Sequence, residues 1–320
     1  MNAVISNLSG STQLTAQSSA DSVLAEKGQS FHWARKLLTP VHAARATRLY
    51  RLCRYVDDLA DEAASVDSAK TALATLAHDI ATGESADSIM ADGLQLLQEC
   101  GINPAILRQL IDGVSADLEA VQIADENSLL RYCYQVGGTT GLMMCGVLDI
   151  DDPAALAHAV DLGVAMQLTN ICRDIAADAA LGRRYIPASI VGALTPEALI
   201  HPAEALRPQL TQCVATLLDY ADVYYRSGER GLSYLPLRAR AGMLVAARVY
   251  RAIGNELRRR DHAYWAGRVV VSKPKKVAIT AAILLAAPCQ RTFWQHPNQH
   301  NTELHQPFAD LLDAAHKSWS

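Results

Sequence analysis

Apolar residues recur at helical spacing along nearly the whole chain, and no stretch alternates apolar and polar residues as a half-buried strand would. Short clusters of Gly, Pro and Asp punctuate this pattern and divide it into helices over 21–38, 41–64, 67–82, 87–99, 104–120, 127–148, 153–180, 203–228, 233–261 and 274–287. The helix over 153–180 has a clear start, with Asp152 as an N-cap acid and Pro153 in the first helical position, and Gly182 suits its closing residue. It is apolar on most faces, which places it at the centre of a bundle with its polar residues turned into a cavity. No repeat and no linker divides the chain. The expectation is one all-α domain over 21–290, preceded by a disordered tail over 1–20 and followed by a tail of unknown role over 291–320.

Composition narrows the function classes. Half of the 320 residues are apolar, enough for a large core, and a net charge of −4 leaves no electrostatic footprint for nucleic acid. Seven scattered cysteines without CxxC spacing suit reduced thiols in a cytoplasmic protein. The N-terminal stretch lacks the basic start and apolar core of a signal peptide. The longest apolar run, 277–287, is 11 residues, against the ~20 that span a bilayer. Any membrane contact is therefore expected to be peripheral, on the inner face, with the basic SKPKK loop (Ser272 to Lys276) and the apolar stretch after it as the contact region.

The chemistry lies in two acidic rows. Asn170, Asp174 and Asp178 are four residues apart within the central helix, and YVDDLADE carries Asp57, Asp58 and Asp61 far upstream. Residues four apart lie roughly 6 Å along a helix on one face, so each stretch projects a row of oxygen ligands. A single DxxxD is as easily a solvated helix face. The second row, however, sits in the most apolar helix, where unpaired carboxylates would be costly. Oxygen ligands of this kind suit Mg²⁺, with Mn²⁺ as an alternative. Arg54, Arg173, Arg183 and Arg184 flank the rows and match the forked recognition of phosphate oxygens. The pattern points to heterolysis of a diphosphate. GGTTG, Gly137 to Gly141, interrupts a helical run and reads equally as close helix packing or as a break that leaves room for a substrate chain; in the second case Tyr132, Tyr134, Met143 and Met144 would line an apolar tunnel. The acids of LDIDD, 148–152, are read as a helix start capped by Asp152.

The segments YRLCRYVDDLADE, RYCYQVGGTTGLMM and AMQLTNICRDIAADAALGRRYIP resemble those of the head-to-head prenyl synthases, the squalene and phytoene synthase family, over about Ser30 to Arg268. The resemblance is strongest to the bacterial members that make phytoene. It implies an isoprenoid-synthase helical bundle around a deep apolar cavity, with Asp57 and Asp61 as the first metal-binding pair and Asn170, Asp174 and Asp178 as the second. It further implies substrate contacts from Lys27, Ser30, Phe31, Tyr50, Arg54, Tyr132, Gln167, Arg173, Tyr185, Tyr250 and Arg268, some of the aromatic rings facing successive carbocations. The implied reaction joins two molecules of geranylgeranyl diphosphate through prephytoene diphosphate to phytoene. No dinucleotide fingerprint occurs, and no NADPH is expected. One departure from the family pattern is Ala177, where many members carry an acid. Two alternatives stay open: a thirty-carbon enzyme using farnesyl diphosphate, and a non-catalytic assembly protein on the same fold.

Overall fold

The computed structural model describes residues 35–297 and 299–317. Among these, every element is helical, apart from a single parallel bridge between Gln122 and Arg184. Helix α1 (Pro40–Asp61) starts where the Thr39 side chain accepts from the His42 N–H, with Pro40 in the first turn. Helix α2 (Val66–Thr82) opens on a reciprocal Ser65/Ser68 capping box and ends at Gly83, whose φ of 77° is the left-handed conformation glycine adopts without steric cost. Helices α3 (Ser88–Glu99) and α4 (Pro104–Ala116) follow, capped by Asp87 and Asn103.

Helices α5 (Glu126–Cys133) and α6 (Thr139–Val147) form one run joined by a π-helical turn over Tyr134–Gly138. The GGTTG segment is therefore no break; Gly137 and Gly138 close the π-helical turn, a distortion that often marks functional positions, and Thr139 to Gly141 continue as α-helix. Its glycines also permit close approach. A Cβ on Gly137 would lie 2.6 Å from the Gly163 carbonyl oxygen, and one on Gly141 2.2 Å from that of Ala159.

The partner in those contacts is α7 (Pro153–Ala180), which runs through the middle of the molecule. Asp152 caps it by accepting from the Ala154 N–H. On its other side packs α8 (Arg207–Gly231), again through glycine: a Cβ on Gly228 would meet Leu162, and one on Gly231 would meet His158. Val164, Leu168 and Ile171 of α7 are buried, and truncating Leu168 to Ala would cost about 2–5 kcal/mol. Helix α9 (Leu237–Arg259) closes this side; it begins after Pro236, so the expected start at residue 233 is instead a 3-10 turn over Leu232–Tyr234. Helix α10 (Lys273–Ala286) packs on α9 through Ile283 and leaves Val277, Leu284 and Leu285 exposed.

The C-terminal segment folds back onto the same core. A 3-10 stretch over Thr302–Phe308 leads into α11 (Ala309–Lys317). Phe308 is fully buried and stacks on Tyr134 with ring centroids 4.8 Å apart. Asn103 donates to the Ala315 carbonyl and Gln109 to that of Leu311, both at 2.7 Å. Among the described residues, no helix is long and apolar enough to cross a membrane. All seven cysteines are free thiols.

Candidate active site

A cavity of about 560 Å³ lies between α1, the α5–α6 run, α7, α8 and α9. Helical period puts Tyr50, Cys53, Arg54 and Asp57 on one face of α1, and that face lines the cavity. Opposite them α7 contributes Gln167, Asn170 and Arg173 at the mouth and Leu162, Ala159 and Ala155 farther in. Polar groups therefore gather at one end and apolar ones at the other. Tyr250 of α9 and Arg268, just before α10, complete the polar end.

Each acid near the mouth has a defined neighbourhood. Asp174 accepts from both Arg173 and Arg268, the latter at 2.8 and 3.2 Å. Burial works against its charged form, but these guanidiniums outweigh it and hold the carboxyl below its ordinary range. Asp61 pairs with Arg183 at 2.9 Å, which ties the end of α1 to the residues after α7; Arg54 pairs with Asp58 at 2.5 Å. Asp57 and Asp178 behave differently. Burial, with carboxylates close by and Arg54 opposing, pushes Asp57 up to about 7. Burial, reinforced by Asp174 and Asp117 and opposed by Arg183 and Arg173, brings Asp178 to about 7 as well. Both are short of positive charge.

Asp117, at the end of α4, acts on both rows, since its charge raises Asp57 and Asp178 alike. It accepts from the hydroxyls of Tyr132 at 2.8 Å and Tyr185 at 2.7 Å, and those two rings stack at 4.8 Å. Tyr132 and Tyr185 are thus a hydrogen-bonded pair beside the acids, outside the cavity lining, whereas Tyr50 and Tyr250 face the cavity. No local pattern marks Asp117, a single acid with no acidic partner at helical spacing.

Several residues lie elsewhere than the sequence suggested. Arg184 is buried and donates to the Ile123 and Ile186 carbonyls. It follows Arg183 in extended backbone at the bridge with Gln122, so the two side chains serve different partners. Of the proposed tunnel residues, Met144 lines the cavity, while Tyr134 and Met143 are fully buried core. Lys276, expected in a basic surface loop, lies in the first turn of α10, is buried and lines the cavity, and burial lowers its pKa. Lys27, Ser30 and Phe31 lie outside the described residues.

The donors at the mouth fit a hard divalent cation. Asn170 Oδ1 is buried without a hydrogen-bond partner, although a buried amide oxygen is costly to leave unpaired. It shares its helix face with Asp174 and Asp178, and all three offer oxygen, the donor that Mg²⁺ takes. A cation there would satisfy the orphaned amide oxygen and supply the charge that Asp57 and Asp178 lack.

The sequence matches the profile described as Squalene/phytoene synthase over residues 24–275. A phytoene synthase of Pseudescherichia vulneris is 36% identical over 285 residues, covering 85% of this chain and 90% of that protein. A 15-cis-phytoene synthase of Enterobacter agglomerans is 33% identical, covering 84% and 98%. Among solved structures, a dehydrosqualene synthase in complex with ligand superposes with a TM-score of 0.76 over 87% of this chain and 98% of that one, at 23% identity, a likeness of fold. A profile match across most of the chain, and relatives aligned nearly end to end, make this protein a member of the squalene/phytoene synthase family.

Proposed function

We propose that the protein is a phytoene synthase, which joins two molecules of geranylgeranyl diphosphate head to head through prephytoene diphosphate. The observation that carries the choice of chain length is the run of cavity-lining residues along α7. From Asn170 to Ala155 is 15 residues, about 22 Å at ~1.5 Å per residue. The sixteen-carbon backbone of a geranylgeranyl chain, a zigzag of roughly 1.5 Å bonds, extends about 19 Å and fills that length. A farnesyl chain of twelve backbone carbons, at about 14 Å, leaves the deep end empty.

Asp57, Asp61, Asn170, Asp174 and Asp178 are the residues that would hold Mg²⁺ or Mn²⁺, which supplies charge stabilisation to a departing diphosphate. Arg54, Arg173 and Arg268 sit where guanidiniums can fork onto diphosphate oxygens, with Lys276 adding a fourth positive charge. The C1–O bond of one substrate breaks, and its electron pair leaves with the diphosphate. The allylic cation is attacked by the double bond of the second substrate, held beside it in the same cavity, and loss of a proton from the adduct closes the cyclopropane ring of prephytoene diphosphate. Tyr50 and Tyr250 present aromatic surface along the lining, and the apolar walls exclude water that would quench the cation. The second diphosphate leaves from the same mouth. Gln167 positions substrate there; Tyr132 and Tyr185 act through Asp117. The rearranged cation then loses a proton to give the neutral product, so no reductant is needed.

A product of forty carbons gains about 0.8 kcal/mol for each CH₂ kept from water, so its release favours a lipid surface. We assign peripheral membrane contact to the outer face of α10, with the protein on the cytoplasmic side. The test of the function is product identity: purified protein with labelled geranylgeranyl diphosphate and Mg²⁺ should yield phytoene, equally with and without NADPH. A thirty-carbon product made only from farnesyl diphosphate would replace this reading with the alternative of the same fold, and no product from either would favour an assembly role.

A further inference from the structure

A second polar cluster lies at the other end of α7, behind the apolar depth of the cavity. Asp161 is fully buried. The C-terminal segment brings two imidazoles to it: His300 Nε2 lies 2.7 Å from Asp161 Oδ2, and His305 Nε2 lies 2.9 Å from Oδ1. His158, three residues earlier on the same helix face, completes the group; its ring meets that of His300 edge-on at 5.0 Å. One ligand atom from each of His158, Asp161 and His300 lies within 4.8 Å of the others. His300 and His305 are themselves only 9% and 12% exposed. Space has been cleared for the cluster, since a Cβ on Gly231 would lie 2.1 Å from His158 Cβ.

Two of these histidines lie beyond residue 275, where the family match ends. They belong to the segment over 291–320, to which the sequence pattern assigns no role. The segment places two imidazoles against one buried carboxylate that already has a third imidazole beside it on its own helix. Three imidazoles and a carboxylate form a donor set suited to Zn²⁺ and its neighbours in the first transition series; His158, Asp161 and His300 already lie within reach of one ion, and His305, 2.9 Å from Asp161, is the fourth ligand that would close a tetrahedral site. Ser227 contacts His158 Nδ1 at 3.2 Å and fixes its ring, as supporting partners do around metal-bound imidazoles. The oxygen row at the opposite end of the helix is its chemical contrast.

We propose that His158, Asp161, His300 and His305 bind one divalent transition-metal ion of the Zn²⁺ class, which fastens the C-terminal segment to the bundle behind the substrate cavity. Binding uses ring-nitrogen lone pairs, so the Nε2 atoms of His300 and His305 exchange their hydrogen bonds to Asp161 for bonds to the ion, and these two rings carry their protons on Nδ1. His158 both belongs to the cluster and lines the cavity, so the ion also stiffens the wall that meets the far end of the substrate. Its role is structural, and it does not depend on which diphosphate the cavity takes.

The test uses full-length, tag-free protein, stripped with chelator and returned to buffer with excess Mg²⁺ so that the oxygen row is not the site measured. Titration with Co²⁺ should give one equivalent bound, with the visible ligand-field bands of a tetrahedral nitrogen and oxygen site, displaced by Zn²⁺. His300→Gln and His305→Gln should each weaken Co²⁺ binding by at least about tenfold, the smallest loss seen when even a supporting partner of a metal ligand is removed. Asp174→Asn should leave it unchanged. Zn²⁺ should raise the melting temperature of the wild type and not that of His300→Gln. Wild type without a Co²⁺ band, or a band that persists in both histidine variants, overturns the proposal and leaves the cluster a hydrogen-bonded clasp. The wild-type spectrum decides by itself if a variant fails to fold.

Discussion

Ala159→Phe should convert the protein from a twenty-carbon to a fifteen-carbon substrate preference. Ala159 lines the cavity 11 residues from Asn170, about 16 Å down the helix at ~1.5 Å per residue. A phenyl ring there closes the cavity beyond that depth. It leaves room for a farnesyl chain of about 14 Å, and it excludes the end of a geranylgeranyl chain of about 19 Å. One isoprene unit, five carbons, loses its burial. At about 0.8 kcal/mol per carbon this removes roughly 4 kcal/mol, close to a thousandfold in kcat/KM for geranylgeranyl diphosphate. The ring enters existing empty volume, so helix packing through the Ala159 backbone against Gly141 is retained. Steady-state kinetics with each labelled diphosphate, alongside circular dichroism and a thermal melt, measures both effects. A folded variant that keeps the wild-type ratio of the two kcat/KM values would refute the assignment of chain length to this end of the cavity.

Four further outcomes follow from the site. Asp57→Asn, Asp61→Asn, Asp174→Asn and Asp178→Asn should each lower turnover by about 10²-fold or more while helical content stays as in wild type, and a fully active variant removes that residue from the site. Activity should vanish in excess chelator and return with Mg²⁺ or Mn²⁺; full activity with metal removal verified contradicts the cation requirement. The folded pKa values of Asp57 and Asp178, near 7, lie above the ordinary carboxylate value, so the metal-free protein keeps two protons on these carboxyls that the unfolded chain has lost between about 4 and 7, against the one that His158, lowered to about 4 by burial, gives up on folding. Its stability should therefore fall as pH rises through that window, and Mn²⁺ affinity should rise over the same window as the two protons are lost, measured by melting and by titration; a pH-independent affinity refutes this. Flotation with anionic liposomes should carry the protein, and Leu284→Glu with Leu285→Glu should keep it in the soluble fraction; equal flotation of both moves the contact away from α10.

The helical architecture was legible because its signals are local. Asp152-Pro153 and Gly182 bracket α7 in the sequence as they do in the structure, and the spacing of Asn170, Asp174 and Asp178 fixes their shared face whatever surrounds them. Non-local partners were hidden. Arg184 and Arg183 look equivalent in a row of residues, and only the bridge to Gln122 separates their roles. Asp117 gains its place from Tyr132 and Tyr185, which are distant from it in sequence. Lys276 sits in a run of basic residues that reads as solvated, yet its position at the start of α10 turns it into the cavity. In the C-terminal segment Phe308, Leu311, Leu312 and Ala315 recur at helical spacing and pack on the core, but the partners of its histidines and backbone carbonyls are distant in sequence and no local pattern shows them.

The central claim is that both ionisations take place at one mouth, served by both acid rows. Prephytoene diphosphate supplied directly, with Mg²⁺, isolates the second ionisation. Wild type should convert it to phytoene, and the yield should collapse in Asp57→Asn and in Asp174→Asn alike. If either variant converts the intermediate at the wild-type rate while failing to form it from geranylgeranyl diphosphate, that row serves only the first step and the shared-site account is wrong.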